Sequence, residues 1–251
     1  NIVTSYYEEE AQNFNLGKHP PHDQRYEIAD EFVQVVKRLW DSWEEDALVR
    51  NKETGVYFDK TKLHAINHKG KYFNVRGPLN ASRPIQGHPV LVQAGSSERG
   101  RKFAAETDEV IFTAQQTLEQ AQEFYADIKS RAKQFGRDPN HVLILPGVSP
   151  IVGRTEQEAR EKYEALNDLI VPEIGLAFLS DYLGGLDLSQ YDLDGELPDE
   201  IPPTNGNQSR RQLIIDMARR EKLTIRELYK KVAGTRAHRI IFGSPEQIAD
   251  Q

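Results

Sequence analysis

Pro89-Val90-Leu91-Val92-Gln93-Ala94-Gly95-Ser96-Ser97-Glu98-Arg99-Gly100 is the stretch on which the fold turns. Residues 89–94 are a short, mostly apolar run bounded by a proline and a glycine, which reads as a strand. Ser97 through Glu106 reads as a helix entered directly from it. The alternation continues with a strand at Glu109-Val110-Ile111-Phe112-Thr113, a long amphipathic helix from Leu118 through Phe135, a strand from Val142 through Val152 and a helix from Glu156 through Ile170. Thr117/Gln120 and Thr155/Glu158 have capping-box spacing, so two helix starts are marked independently of hydrophobicity. Repeated βα units imply a parallel sheet covered by helices, because a parallel connection needs a long return path. The class is α/β. Periodicity does not separate an open doubly wound sheet from a closed barrel, but both put functional loops at the carboxyl ends of the strands.

Upstream, Ile28, Phe32, Val35, Val36 and Leu39 mark one face of a helix over 26–42. Residues 46–85 read as loops with short strands, one of them Lys71-Tyr72-Phe73-Asn74-Val75, and Asn1 through Ser5 reads as the end of a strand. Downstream, Gly184-Gly185, Pro202-Pro203 and Asn205-Gly206-Asn207 punctuate residues 172–209, which are expected to form a surface insertion folding over the domain. A lid is one role for it; an extension remote from the site is the other. Ser244-Pro245-Glu246-Gln247 combines an N-cap residue, proline at N1 and Gln at N3, and announces a further helix. The abrupt opening and this late helix start together suggest the middle and later part of a longer protein; a trimmed chain is the alternative.

Composition narrows the chemistry. The 251 residues contain no cysteine, which excludes thiol catalysis, disulfides and cysteine-based metal centres and fits a reducing, cytoplasmic location. With 38% hydrophobic and 28% charged residues and no apolar run of bilayer length, neither a membrane-spanning helix nor a wholly disordered chain is expected. The net charge of −7 conceals a basic segment, Ser209 to Ile240, with ten Lys/Arg against three Asp/Glu. Its two helices, Ser209 through Glu221 and one opened by the capping box Thr224/Glu227, are arranged like a helix-turn-helix. Apolar Leu213, Ile214, Met217, Leu228 and Val232 favour a pair packed on the protein body over a DNA-binding element.

The chemically informative motif is Gly95-Ser96-Ser97 at a strand-to-helix junction. Glycine permits close approach, while the amides and hydroxyls at the helix start can surround an anion. It lacks the glycine spacing of a dinucleotide fingerprint and the lysine of a P-loop. Arg25 and Tyr26 offer a charge and a phenol that could meet a phosphate; Asn1 and Ser5 are polar groups at the end of the opening strand. The histidines are weaker signals: His19 and His22 flank Pro20-Pro21 in a loop, and His64 and His68 lack an HExxH context, so no metal site is assigned. His238 is retained as an acid–base candidate, and no Ser–His–acid triad can be assembled.

Asn1-Ile2-Val3-Thr4-Ser5, Arg25 through Phe32, Leu39-Trp40-Asp41-Ser42-Trp43, His68 through Phe73, Arg76-Gly77-Pro78-Leu79, Val90 through Gly100 and Phe242 through Asp250 form an ordered series along nearly the whole chain. The series resembles the bacterial luciferase-like flavin monooxygenases, in the subgroup of nitrilotriacetate, EDTA, dibenzothiophene-sulfone and long-chain-alkane monooxygenases. The resemblance implies a partial (β/α)8 TIM barrel with both ends of the barrel domain missing. It would be one domain over 1–251, with an insertion after the seventh barrel strand and the basic helical segment within 172–240. Reduced FMN and molecular oxygen are the implied cofactor and co-substrate. One oxygen atom would enter a small organic substrate and the other would leave as water, with the flavin reduced by a separate NAD(P)H:flavin reductase. Asn1 and Ser5 fall where the family lines its flavin pocket, and Tyr26, Ser96 and Ser97, beside Gly95, match positions at the FMN phosphate. Some relatives carry histidine where this chain has Ser5, so no proton-transfer role attaches to that position and the catalytic residue is unassigned. A homo-oligomer acting without nucleic acid or membrane is implied. The alternative is a non-catalytic, degenerate flavin-binding member.

Overall fold

The computed structural model describes residues 1–251. A short helix α1 (Glu8–Gln12) precedes the long α2 (His22–Trp40), and a hairpin, β1 (His68–Lys69) and β2 (Asn74–Val75), follows. The βα series comes next: β3 (Val92–Gln93), α3 (Glu98–Thr107), β4 (Val110–Thr113), α4 (Leu118–Gln134), β5 (Leu143–Pro146), β6 (Val148–Val152) and α5 (Glu156–Asn167). Three helices, α6 (Pro172–Tyr182), α7 (Gln208–Glu221) and α8 (Ile225–Thr235), lead to β7 (Arg239–Gly243) and α9 (Pro245–Ala249).

β3, β4 and β5 are parallel neighbours in that order, and Ile2 adds to the edge through a parallel bridge to Gln93, its N–H donating to the Val92 carbonyl at 2.8 Å. One face of this sheet is covered: Leu91 packs with Tyr26, Val33 and Phe103, and Ile111 and Val142 pack with Phe124 and Ile128 of α4. The other face leaves Val90, Phe112, Leu143 and Leu145 exposed, as are Val148 and Val152 of β6, which pairs with β7 in a separate two-stranded sheet. That two-sided apolar character is what a barrel wall has, with helices outside and side chains turned inward. The strands here form an open α/β array and do not close.

Five readings need correction. Residues 142–152 are two strands, because the exposed positions shift phase at Pro146-Gly147, from 143 and 145 to 148, 150 and 152. β5 pairs with β4, β6 pairs with β7, and Gly147 sits where a Cβ would lie 2.7 Å from both Phe112 and His238. α2 begins at His22, since Pro20-Pro21 supplies a helix entry without spare N–H groups and the Arg25 amide already donates to the Pro21 carbonyl. Within 71–75 only Asn74 and Val75 are strand; Gly70 to Phe73 make the turn, whose Tyr72 and Phe73 amides donate to Glu31. β7 is a strand that periodicity did not mark. Finally, the first third of 172–209 is the helix α6, opened by Pro172 at N1.

α6 anchors the largest apolar cluster in the chain. Leu179, Leu183 and Leu188 pack with Ile214 and Met217 of α7 and with Leu228, Tyr229 and Val232 of α8, all essentially buried. The apolar residues of the basic helices, Ile214, Met217, Leu228 and Val232, are therefore committed to a core shared with α6. Gly175 allows this approach: a Cβ there would lie 2.4 Å from the Tyr229 ring.

Asp108, at the C-cap of α3, is fully buried with neither carboxylate oxygen hydrogen-bonded. Burial raises its pKa to about 7, partly opposed by Arg137 and Lys37. A carboxyl whose folded pKa exceeds its unfolded value binds more protons in the native state between the two values, so stability falls as pH rises from about 4 to about 7 and then levels. Asp108→Asn should remove that slope and stabilise the protein above pH 7 by on the order of 1–3 kcal/mol. Urea midpoints at pH 5 and pH 8 check it; parallel shifts of wild type and variant at the two pH values would exclude Asp108 as the source.

Candidate functional site

The β3–α3 junction is held close to α2. Gly95 and Gly100 face the Tyr26 hydroxyl, and a Cβ on either would lie 2.9 and 2.8 Å from it. Ser97 caps α3: its Oγ accepts from the Gly100 amide at 3.1 Å and meets His22 Nε2 at 3.3 Å. Gly95 donates its amide to Gln93 Oε1 at 3.1 Å, while the Ser96 and Ser97 amides have no acceptor in the chain. These free donors stand at the positive end of a ten-residue helix.

Arg25 reaches the same place from α2. It is 5% exposed, and its guanidinium donates through Nη1 to the Pro20 carbonyl at 3.0 Å and through Nη2 to the Asn205 carbonyl at 2.8 Å. Nε is buried without a partner, and burial lowers the pKa of the group, which stays cationic at neutral pH. Tyr26 stacks edge-on against Phe103 with centroids 5.8 Å apart, and its hydroxyl has no partner within the chain. Together these groups line a cleft of ≈ 120 Å³, closed on its far side by Gly206, Asn207 and Ser209. Asn205 also donates to the Pro20 carbonyl at 3.2 Å, so the segment before α7 is pinned across the opening.

Ser5, Tyr26, Gly95 and Ser97 all line this one cleft. Ser5 does so with φ of 48°, a left-handed backbone that a non-glycine residue adopts at a cost. Ser96 turns to the neighbouring cleft, bounded by Phe112, Thr113, Asn207 and Arg210, with its Oγ 3.0 Å from Thr113 Oγ1. Asn1 is exposed and lies outside both linings. The sequence reading missed His22, Asn207 and Ser209 as lining residues. His22 was visible in principle, four residues before Tyr26 and so on the same helical face. His64 and His68 pair separately with Glu44 at 2.7 Å and Glu31 at 2.9 Å, and His238 packs edge-on against Phe112.

What this arrangement can do is bind an oxyanion: the free Ser97 amide, a cationic guanidinium with a spare donor, a phenol and serine hydroxyls converge on one cleft. Gly95 lets the Gln93 side chain and the Tyr26 hydroxyl pack against the bare backbone, where a Cβ would lie 2.3 and 2.9 Å from them.

The family model described as luciferase-like monooxygenase matches residues 1–251. The N-acetyl-S-(2-succino)cysteine monooxygenase of Bacillus subtilis (strain 168) is 58% identical over 252 residues, covering 100% of this chain and 57% of that protein. Nitrilotriacetate monooxygenase component A of Aminobacter aminovorans is 53% identical, with 100% and 55% covered. A riboflavin lyase crystallised with modified FMN and riboflavin superposes with a TM-score of 0.84 at 34% identity, covering 100% of this chain and 54% of that one. The chain thus spans little more than half the length of the relatives it matches.

Proposed function

The chain belongs to the luciferase-like monooxygenase family, and from that membership we propose that the intact protein is a monooxygenase that uses reduced FMN and molecular oxygen on a small organic substrate. The observation that carries the reading is the convergence of Arg25, Tyr26 and Ser97, with its free amide, on one cleft at the carboxyl end of β3. The buried, unpartnered Nε of Arg25 fits a phosphate. When bound, reduced FMN supplies the electrons that allow one oxygen atom to enter the substrate while the other leaves as water.

The residues of this chain bind and orient. In this reading Arg25, Tyr26, Ser97 and the amides of residues 96 and 97 hold the phosphate, with Gly95 as floor; Ser5 and Asn1 belong toward the ring end. The segment from Asn205 to Ser209 covers the phosphate and keeps water from it. The name of the second relative, a component A, supports supply of reduced flavin by a separate NAD(P)H:flavin reductase. The same reading takes 1–251 as part of one barrel domain with 172–240 as its insertion, and expects a cytoplasmic homo-oligomer; exposed Leu166, Leu169 and Ile174 offer an apolar contact face. No helix is long and apolar enough to cross a membrane.

The test is the double substitution Ser96→Ala/Ser97→Ala in the intact protein. The backbone donors survive, so FMN affinity should fall by about 1–3 kcal/mol while riboflavin affinity changes little. Loss of the Ser97 cap should also lower stability by about 1 kcal/mol. Calorimetric titration with both flavins reads the outcome; equal affinity of the wild type for FMN and riboflavin would overturn the phosphate assignment.

A further inference from the structure

His238 has no place among the groups assigned to the phosphate, and it lies across the sheet from the edge where Ile2 joins β3. Its imidazole packs edge-on against Phe112 of β4 with centroids 5.5 Å apart, and Nδ1 would lie 2.7 Å from a Cβ on Gly147, the residue after β5. The Gly147 amide donates to the Thr113 carbonyl at 2.8 Å, so the ring sits where β4 and β5 end. Phe112 belongs to the uncovered face of the sheet, since Ile111 and Thr113 on either side of it are buried. The carboxyl ends of parallel strands are where α/β folds meet their reactants.

The two ring nitrogens have unlike surroundings. Nδ1 is buried without a partner, whereas Nε2 bonds to nothing in the chain and is not shut in. A hydrogen on Nδ1 would be an orphaned buried donor, so the bare nitrogen belongs there and the hydrogen on Nε2. The imidazolium needs hydrogens on both, and it would add a third positive charge beside Arg210 of α7 and Arg236 at the end of α8. Phe112 and Gly147, the neighbours from the strands, bring no carboxylate to offset it. Burial and the two arginines accordingly hold the group below its ordinary pKa. The turn that delivers the ring is firmly set: Arg236 and Ala237 are consecutive left-handed residues, with φ of 52° and 56°, and the buried Ala237 accepts from Gln116 Nε2 through its carbonyl. Two adjacent non-glycine residues hold that conformation where packing enforces it.

We propose that His238 is a substrate-positioning residue: an uncharged imidazole that offers Nε2–H to an acceptor oxygen of the organic reactant. With the hydrogen on Nε2 and Nδ1 closed off, the ring takes no proton from that reactant, so the acid–base role open to it in the sequence becomes a donor role. The wall beside it suits an apolar body carrying such an oxygen. Leu145 is the strand partner of Phe112 and is exposed on the same face, so an aromatic ring and an aliphatic side chain flank the one neutral donor. The flavin is the poorer match, because Ser5, assigned to its ring end, lies on the far side of β3. The proposal rests on the flavin reading for the reaction that this oxygen-bearing molecule enters.

Nitrogen NMR of isotope-labelled histidine in the intact protein, with and without oxidised FMN, reads the tautomer directly. At pH 7 His238 should be neutral with its hydrogen on Nε2, and it should titrate below the ordinary 6.5. The probes are acetophenone, an aromatic ketone, and α-methylstyrene, which has its shape without the acceptor; both are titrated into wild type, His238→Gln and His238→Phe. Acetophenone should shift the Nε2 signal and bind about 3- to 10-fold more tightly than α-methylstyrene, the worth of one neutral hydrogen bond. His238→Gln sets an amide donor where Nε2 stood and should keep most of that preference. His238→Phe keeps the ring against Phe112 and should abolish it. A hydrogen on Nδ1, titration at or above 6.5, or an Nε2 signal that ignores acetophenone would overturn the proposal. An equal loss of FMN and riboflavin affinity in His238→Phe would overturn it too, by assigning the donor to the flavin ring. A wild type that binds no FMN would overturn the flavin reading, while the tautomer and the ketone response, read also without FMN, decide the role of His238 separately.

Discussion

Arg25→Met in the intact protein is expected to weaken FMN binding by about 2–5 kcal/mol, the range for removing one partner of a buried, hydrogen-bonded charge pair. Methionine keeps much of the aliphatic stem and its packing beside Tyr26, so the loss isolates the guanidinium. Two effects combine. The phosphate loses its buried cation, whose Nε is otherwise without a partner. The Asn205 carbonyl also loses its donor, and the only remaining tie across that opening is the Asn205 side chain on the Pro20 carbonyl. The cover over the cleft should therefore become more accessible, and amide exchange at 205–209 should accelerate. Riboflavin binding should change far less than FMN binding, because it carries no phosphate. An equal loss for both flavins would mean that Arg25 acts only by holding the cover, and no loss for either would remove it from the site. Arg25→Lys should recover part of the affinity and little of the exchange protection, since one ammonium cannot reach both carbonyls as the fork does.

That coupling shows where a linear sequence stops being informative. The helix starts were legible because their signals are local: Thr117, Thr155, Thr224 and Ser244 each accept from the amide three residues on, as their spacing requires. Parallel β3, β4 and β5 followed from the βα rhythm, and the Gly95-Ser96-Ser97 motif declared itself by chemistry and position. α6 escaped because Ile174, Leu176, Phe178 and Leu179 are apolar around its circumference, so no polar face announced a helical period. β5 and β6 were merged because a one-residue phase shift is invisible in a run of β-formers. Asn205 contacting Arg25 spans 180 residues, and no local pattern records which loop returns to which cleft. The resemblance to the family pointed to Tyr26, Gly95, Ser96 and Ser97, and in the structure Tyr26, Gly95 and Ser97 share one cleft while Ser96 lines the next and Asn1 is exposed.

Tyr229→Ala should destabilise the intact protein by about 3–5 kcal/mol, the cost of emptying a buried aromatic site. Tyr229 is 1% exposed and its ring lies over Gly175, which joins α6 to α8. Gly175→Ala should cost about 1–3 kcal/mol by the opposite route, since the new methyl would sit 2.4 Å from Cδ2 of that ring. The two changes must not add. Once the ring is gone, the alanine at 175 has room, and it contributes better helix propensity than glycine, so the double variant should be no less stable than Tyr229→Ala alone. Urea unfolding of the four proteins gives the coupling energy directly. Additive losses would mean that the ring and Gly175 are not the contact that joins these helices. The functional consequence lies in the same unit: the chain that leaves α6 becomes the cover over the Arg25 cleft, and α7 presents Arg210. Tyr229→Ala should therefore loosen the Arg25 cleft although it does not touch it, and FMN affinity should fall together with protection of α6 and α8 against exchange. Intact FMN affinity in a protein destabilised by that amount would separate the helical unit from the site and assign it to stability alone.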